Sequence, residues 1–304
     1  MFVQFISVKS NNMPQKRRSR NSRKKNSSSI KKTLQLIILV IFIVIGLFYA
    51  IDFATSPNNS EDTAETWQST SSKAISANSL QLLEVKTPEN LSEQFIEYKG
   101  FNISFNTHYR IPNYVVYELT LQESTGNESR AKSFAKDENV DRCPEPYEYT
   151  RSGYDRGHMA PAADMKWDYD AMHNSFYMTN ICPQKHSLNS GGWKRLEEKI
   201  RDWVAKDSAL IIVTGPILTE NMETIGNGIA VPTKFFKAIL APFSNPQKAI
   251  GFIYKNEGGQ KKIKDQAVYI DEIERQTGLD LFFNLPDDTE NKLEKSCNFQ
   301  QWNY

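Results

Sequence analysis

Residues 153–165, with the sequence GYDRGHMAPAADM, contain the side chains best suited to chemistry. A neutral imidazole at His158 can accept a proton near neutral pH, which is the working range of a general base. Arg156 offers a fixed planar cation suited to a phosphate oxygen. Gly157 permits backbone conformations closed to other residues and Pro161 stops a helix, so the segment is predicted as a strand that ends in a shaped loop. Because a lone histidine is more often structural, a catalytic interpretation depends on what lies downstream.

The clearest predicted helix follows about thirty residues later, from Ser187 or Asn189 to Lys206. Asn189 is a common type of helix cap, but its neutral oxygen is also a good ligand for a hard cation such as Mg²⁺. Glu197 could hold a water on that cation, and it could equally pair with Arg201 four residues on. Residues spaced by four lie on neighbouring turns of one helix face, which here carries Asn189, Trp193, Glu197 and Arg201.

The rest of the chain from residue 93 predicts an α+β domain with a central, mainly antiparallel sheet flanked by helices. Hydrophobic residues make up 39% of the sequence and aromatic residues 12%, enough for a sizeable core. A short helix is expected at 271–276, with Gly278 as its end. Apolar, β-branched and aromatic runs predict strands at 101–105, 114–121, 176–181, 209–214, 234–240 and 249–254.

The amino-terminal third has a different composition. Residues 1–53 hold ten Lys or Arg and one acid, which leaves 27 bases and 35 acids, about −8, for the remainder. The pattern predicts a basic cytoplasmic segment (1–32), a transmembrane signal anchor (33–53), a flexible linker (54–92) and a folded domain (93–304). The nineteen uncharged residues from Thr33 to Ile51 would span roughly 28 Å, close to the thickness of a bilayer core.

The charge before this run predicts a single-pass membrane protein whose domain faces the periplasm or exterior. A cleaved signal peptide is the alternative, but the run is long for one and lacks a cleavage pattern of two small residues near Ala50 or Ala54. A nucleic-acid-binding tail would also be basic, although the hydrophobic span that follows at once argues against it.

Three segments together resemble the DNA/RNA non-specific endonuclease family, whose members are ββα-metal (His-Me finger) nucleases and include mitochondrial endonuclease G. These are Asp155–Pro161, Met178–Gln184, and the Leu188-Asn189 pair followed by Trp193 and Leu196-Glu197. The similarity extends over about residues 95–290. It implies a ββα-metal nuclease domain that acts on DNA and RNA without sequence specificity.

The resemblance also implies roles for individual residues. His158 corresponds to the general base, Asn189 to the protein ligand of Mg²⁺, and Glu197 to the residue that orients water on the metal. Mn²⁺ or another divalent cation is the alternative to Mg²⁺. Arg130, in the loop before the motif, and Arg156 would contribute positive charge at the scissile phosphate. Substrate-binding roles are predicted for three further cations near the motifs: Arg201, Arg195 and Lys194.

The implied reaction is metal-assisted hydrolysis that leaves a 5′ phosphate and a 3′ hydroxyl. An alternative function is a catalytically weak nucleic-acid-binding receptor of the same fold, for example in DNA uptake, although a receptor has no need of His158, Asn189 and Glu197 together. A structural anchor protein would explain the first 90 residues but not the motifs.

The three cysteines permit two further hypotheses. One disulfide, between Cys182 and Cys297, would join the carboxyl-terminal tail to the body of an exported domain. A zinc site from Cys143, Cys182, His173 and His186 is the alternative, but the spacing matches no closed four-ligand pattern.

Overall fold

A computed structural model describes residues 81–302, all of which lie within one compact unit. The predicted cytoplasmic segment, the predicted span at 33–53 and residues 54–80 of the predicted linker lie outside the described residues. Among residues 81–302, no helix is long and apolar enough to cross a membrane.

The described chain contains thirteen strands. In chain order they are β1 (Val85–Lys86), β2 (Gln94–Glu97), β3 (Asn102–Asn106), β4 (Ile111–Thr120), β5 (Asp155–His158), β6 (Ile181–Gln184), β7 (Ala209–Pro216), β8 (Thr224–Ile225), β9 (Ile229–Ala230), β10 (Lys234–Ala241), β11 (Lys248–Lys255), β12 (Ala267–Val268) and β13 (Asp280–Leu281).

Five α-helices and several tighter or wider turns complete the described elements. The α-helices are α1 (Leu121–Ser124), α2 (Tyr169–Asn174), α3 (Lys194–Asp207), α4 (Ile270–Thr277) and α5 (Asp287–Glu294). Residues Pro146–Tyr149, Met178–Asn180, Ile263–Gln266 and Phe299–Trp302 form 3-10 turns, and Leu188–Trp193 forms a π-helical segment.

Seven strands form one antiparallel sheet in the order β12-β11-β10-β7-β4-β3-β2. Both faces of this sheet are covered, so most residues of its central strands are apolar on either face rather than alternating with polar ones. One face packs against α3 and the β5–β6 hairpin, and the other against α4 and α5. In β10, Phe235 and Ile239 belong to the first of these two cores, whereas Phe236 and Leu240 belong to the second. The predicted central antiparallel sheet is confirmed.

The predicted long helix differs from the structure at its start. The chain forms the π-helical segment Leu188–Trp193 first, and a regular α-helix begins only at Lys194. Gly191 has non-helical backbone angles (φ −110°, ψ −108°) at this junction. Two consecutive glycines have little helix propensity, so the backbone is free to bend where Asn189 leaves the hairpin.

The packed part of the chain begins before residue 93, where the predicted linker ends. Leu82 is buried in the core beneath the sheet. Val85 and Lys86 pair with Leu281 and Asp280 in a two-stranded ribbon. Residues 81–92 are therefore part of the folded domain, because their apolar side chains reach that core.

The predicted disulfide is absent among the described residues, where Cys143, Cys182 and Cys297 are all free thiols. Cys182 is a fully buried part of the hydrophobic core, and this burial raises the pKa of its thiol. The zinc alternative finds no support either. Within residues 81–302, three acidic residues on α4 and α5 form the one cluster with metal-ligand spacing: Asp271, Glu274 and Glu294.

Candidate active site

The β5–β6 hairpin lies under the candidate site and fixes the backbone around His158. Gly157 pairs with Cys182, and His158 pairs with Ile181. The Asn180 carboxamide exchanges two hydrogen bonds of 2.9 Å with the backbone of Ala160, which holds the chain just after the histidine. Sequence analysis gave no role to Asn180, because its partner lies twenty residues earlier and is a backbone group.

The His158 ring lies between two phenylalanine rings. Its centroid is 5.3 Å from that of Phe134 and 4.9 Å from that of Phe176. Nε2 is buried without a hydrogen-bond partner among the described residues. Burial, reinforced by the nearby Arg130 cation, lowers the pKa of His158 from 6.5 to about 3. The imidazole is consequently neutral at any physiological pH.

The Asn189 carboxamide is oriented by Asp155, the first residue of β5. Asn189 Nδ2 donates a 2.9 Å hydrogen bond to Asp155 Oδ2, which also lies 2.8 Å from Nδ1 of His186. Since a carboxylate can only accept, the amide nitrogen must face Asp155. The oxygen Oδ1 is then the atom left for another ligand. The Asp155 contact was missed by sequence analysis, which used this residue only as part of the motif.

Four ionisable groups cluster beside Glu197. Arg201 Nη1 lies 2.7 Å from Oδ1 of the buried Asp164, whose Oδ2 accepts a 3.0 Å hydrogen bond from Tyr117. Arg201 was predicted to pair with Glu197, but its ion pair is with Asp164. Burial raises the pKa of Glu197, and Asp164 adds to this effect, whereas Lys237 and Arg201 oppose it.

The predicted phosphate-binding cations differ in the contacts that they already make within the protein. Arg130 is exposed, with its guanidinium carbon 4.8 Å above the Phe176 ring. Arg156 donates from Nε (3.1 Å) and from Nη2 to the carbonyl oxygen of Pro146, so one edge of its guanidinium is already occupied. Lys194 is exposed, 3.7 Å from Glu198 one turn on.

These groups meet in one cleft of about 310 Å³. It contains seven of the eight predicted site residues. Arg195 is not among its lining residues, and its Nη2 instead donates to the carbonyl oxygen of Gln260 (2.9 Å). The cleft is lined by Arg130, Phe134, Arg156, His158, Pro161, Ala162, Ala163, Asn189, Ser190, Lys194, Glu197 and Arg201.

Comparisons with known proteins identify the family of the chain. The family model "DNA/RNA non-specific endonuclease" matches residues 78–288. The mitochondrial nuclease of Saccharomyces cerevisiae is 37% identical over 224 residues, which cover 64% of this chain and 68% of that protein. Nuclease 1, mitochondrial, of Schizosaccharomyces pombe is 32% identical over 237 residues, covering 69% of this chain and 72% of that protein. A chain from the crystal structure of the EndoG/EndoGI complex superposes with a TM-score of 0.61 at 26% identity, covering 65% of this chain and 89% of that chain.

The location predicted from the amino terminus is wrong. Both curated relatives are named as mitochondrial nucleases, which conflicts with a single-pass membrane protein whose domain is periplasmic or extracellular. A basic segment followed by an apolar run was interpreted by charge and length alone. These two properties do not distinguish the compartments to which such a segment can direct a chain.

Proposed function

The chain belongs to the DNA/RNA non-specific endonuclease family, and from that premise we propose a Mg²⁺-dependent hydrolysis of phosphodiester bonds with His158 as general base. One observation carries the proposal: His158, Asn189 and the Arg130 cation line the same cleft. DNA and RNA are the substrates of the family.

His158 takes the proton from the attacking water. A general base must hold an unprotonated nitrogen next to that water, and the lowered pKa of His158 favours the neutral form. A bound phosphate adds negative charge next to the ring, which favours the imidazolium and raises its proton affinity during the reaction. The Phe134 and Phe176 rings hold the imidazole in a fixed orientation while the proton moves.

Asn189 is the proposed ligand of the divalent cation. Its Oδ1 is left over when Nδ2 donates to Asp155, and a neutral oxygen beside a carboxylate suits Mg²⁺, which keeps most of its waters. When bound, the cation supplies charge that offsets the charge developing on the phosphate and on the leaving 3′ oxygen. Glu197 lies in the same cleft, where its carboxylate can accept hydrogen bonds from water.

The arginines supply fixed positive charge to the phosphate. Arg130 has no hydrogen-bond partner among the described residues, so its whole guanidinium is available to a phosphate oxygen. Arg156 is anchored on Pro146 and offers only its remaining edge. Arg201 is committed to Asp164, so we assign it to positioning rather than to substrate contact. Hydrolysis with a leaving 3′ oxygen yields 5′-phosphate and 3′-hydroxyl ends.

The test uses the full-length protein with plasmid DNA and with RNA, in Mg²⁺ or in EDTA. Cleavage is expected in Mg²⁺ alone, and His158→Ala should lower the rate by about 10²–10⁴-fold, the usual contribution of a general base. Exposed His173, which stacks on Tyr169 outside the cleft, provides the matched control His173→Ala.

Two results separate hydrolysis from the receptor alternative. If wild-type protein binds plasmid but leaves it uncut in Mg²⁺, the chain is a nucleic-acid-binding module and the catalytic proposal fails. If His158→Ala cuts as fast as His173→Ala, another group acts as the base. Isothermal titration of Asn189→Ala with MgCl₂ should show weakened binding, whereas unchanged binding would move the metal to another residue.

A further inference from the structure

We propose that Lys237 is a positioning residue for this hydrolysis: its buried ammonium group fixes the backbone at His158 and compensates the charge of Glu197. The inference rests on the proposed function and adds a residue outside the cleft. Lys237 lies at the centre of β10, where its side chain is fully buried. Its neighbours two positions away, Phe235 and Ile239, are core residues, so the strand pattern would call for an apolar side chain there.

The ammonium group holds the backbone next to the general base. Lys237 Nζ donates to the carbonyl oxygen of Met159 (3.1 Å), the residue that follows His158. It also donates to Oγ1 of Thr214 (3.2 Å), its cross-strand neighbour in β7. The Thr214 hydroxyl donates in turn to the carbonyl of Phe236, so its oxygen is free to accept from lysine. The sheet is thereby tied to the loop that carries His158.

Lys237 also joins the base to the metal-binding segment through Trp193. Its Nζ lies 4.5 Å from the Trp193 ring centroid, a cation–π distance. Trp193 Nε1 lies 3.4 Å from the carbonyl oxygen of His158, to which it donates. The carbonyls of His158 and Met159 are thus both held by this lysine–tryptophan pair. Because Trp193 ends the segment that begins beside Asn189, the pair sets the position of the imidazole relative to the carboxamide.

The charge of Lys237 is matched by carboxylates on the α3 side of the sheet. The groups that face Glu197 are Lys237, Asp164, Arg201 and Glu198. Apart from the exposed Glu198, this cluster holds two acids, Glu197 and Asp164, and two cations, Lys237 and Arg201, so removal of Lys237 leaves the two acids with Arg201 alone. Arg201 is already bound to Asp164 at 2.7 Å. Removal of Lys237 therefore favours the protonated form of Glu197 over its carboxylate.

Lys248 provides a matched control. It is a buried lysine on the neighbouring strand β11, and its Nζ lies 2.9 Å from Asp207 and 4.6 Å from the Trp302 ring centroid. It also donates to a backbone carbonyl, that of Gln301. Lys248→Met therefore also removes a buried ammonium group with a backbone carbonyl contact and a cation–π contact, but its partners Asp207, Gln301 and Trp302 do not line the catalytic cleft.

The experiment compares wild type, Lys237→Met, Lys237→Arg and Lys248→Met in full-length protein, with folding checked by thermal melting. Lys237→Met is expected to lower kcat by about 10–100-fold, as for other residues that orient catalytic groups, with KM for plasmid unchanged. Lys237→Arg should recover part of kcat because it keeps the charge. Lys248→Met should keep wild-type kcat while it lowers the melting temperature. Equal kcat in Lys237→Met and Lys248→Met would overturn the inference.

The pH profile gives a readout that a purely structural lysine would not move. In Lys237→Met, the acid limb of kcat/KM should shift to higher pH, and a Glu197→Gln background should abolish that shift. Should Lys237→Met fail to fold, Lys237→Gln replaces it, because glutamine keeps a donor for Met159 without the charge. If the acid limb of kcat/KM does not shift in the folded variant, the proposal that Lys237 compensates the charge of Glu197 is overturned. Failure of the proposed hydrolase function can be distinguished from failure of this inference, because wild-type protein would then cleave no plasmid.

Discussion

An imidazole enclosed by Phe134 and Phe176 is ready to act as a base because the site makes its charged form unfavourable. The same enclosure has a consequence for stability. The folded protein resists protonation of His158 down to a pKa of about 3, whereas the unfolded chain takes up a proton near 6.5. Acid therefore favours the unfolded state through this one residue, in the window between those two values.

His158→Gln should weaken this acid sensitivity. As pH falls from 6.5 to 4, wild type is expected to lose on the order of 2 kcal/mol more stability than the variant. This figure is discounted because the ring borders an open cleft. Urea unfolding at pH 6.5, 5 and 4 measures the difference, with His173→Gln as the exposed control. Parallel loss of stability in wild type and His158→Gln would show that the histidine is protonated in the folded protein as well.

Residue identities in the site were predictable, but their partners were not. The motif spacing led to His158, Asn189 and Glu197, and the structure brings all three into one cleft. Arg201 was expected to pair with Glu197 at i+4, yet Asp164 from the loop after β5 takes its guanidinium. Lys237 was read only as part of a strand. A charged residue at an inward position of an apolar strand is the signal that could have found it.

At the scale of elements, the hairpin beneath His158 depends on a close approach that only glycine permits. A Cβ on Gly157 would lie 2.2–2.6 Å from three atoms of the Gln184 side chain. Gln184 is fully buried, and both of its amide atoms lack partners among the described residues. The side chain therefore has no exposed direction into which it can move.

Gly157→Ala should destabilise the protein by about 1–3 kcal/mol, the usual effect of overpacking. Gln184→Ala in the same chain should restore part of that loss because it removes the clashing atoms. Urea unfolding of the two single variants and the double variant forms a thermodynamic cycle that isolates the contact. Strictly additive losses would mean that the strain at Gly157 comes from the backbone rather than from Gln184.

Elements that are apolar on both faces were the most predictable. The strands at 209–214, 234–240 and 249–254 agree with β7, β10 and β11 within two residues, because burial on both sides leaves a continuous apolar run. The 176–181 prediction is wrong for most of its length. Residues Met178–Asn180 form a 3-10 turn, and β6 begins only at Ile181. Short apolar runs do not distinguish these geometries, since both bury the same side chains.

At the scale of the whole molecule, the last turn of the chain closes one side of the fold. Trp302 is fully buried, with its ring centroid 5.0 Å from that of Trp203 on α3. Trp302 also contacts the sheet, where Nζ of Lys248 in β11 lies 4.6 Å from the Trp302 ring centroid. The tail therefore joins α3, which carries Glu197, to the sheet that carries Lys237. The last turn, Phe299–Trp302, lies beyond position 288, where the family match ends.

Trp302→Ala should lower the free energy of unfolding by about 3–5 kcal/mol, as expected for a large aromatic residue removed from a core. Its Nε1 has no hydrogen-bond partner among the described residues, so the loss reflects packing with Trp203 and the Lys248 cation rather than a broken hydrogen bond. Urea unfolding gives the value, and the exposed neighbour Gln301→Ala, whose backbone carbonyl remains, should change little. Activity measured well below the melting temperature should stay near wild type, because Trp302 does not line the cleft. If Trp302→Ala unfolds at the wild-type urea concentration, the tail adds no stability and α3 is held by the sheet alone.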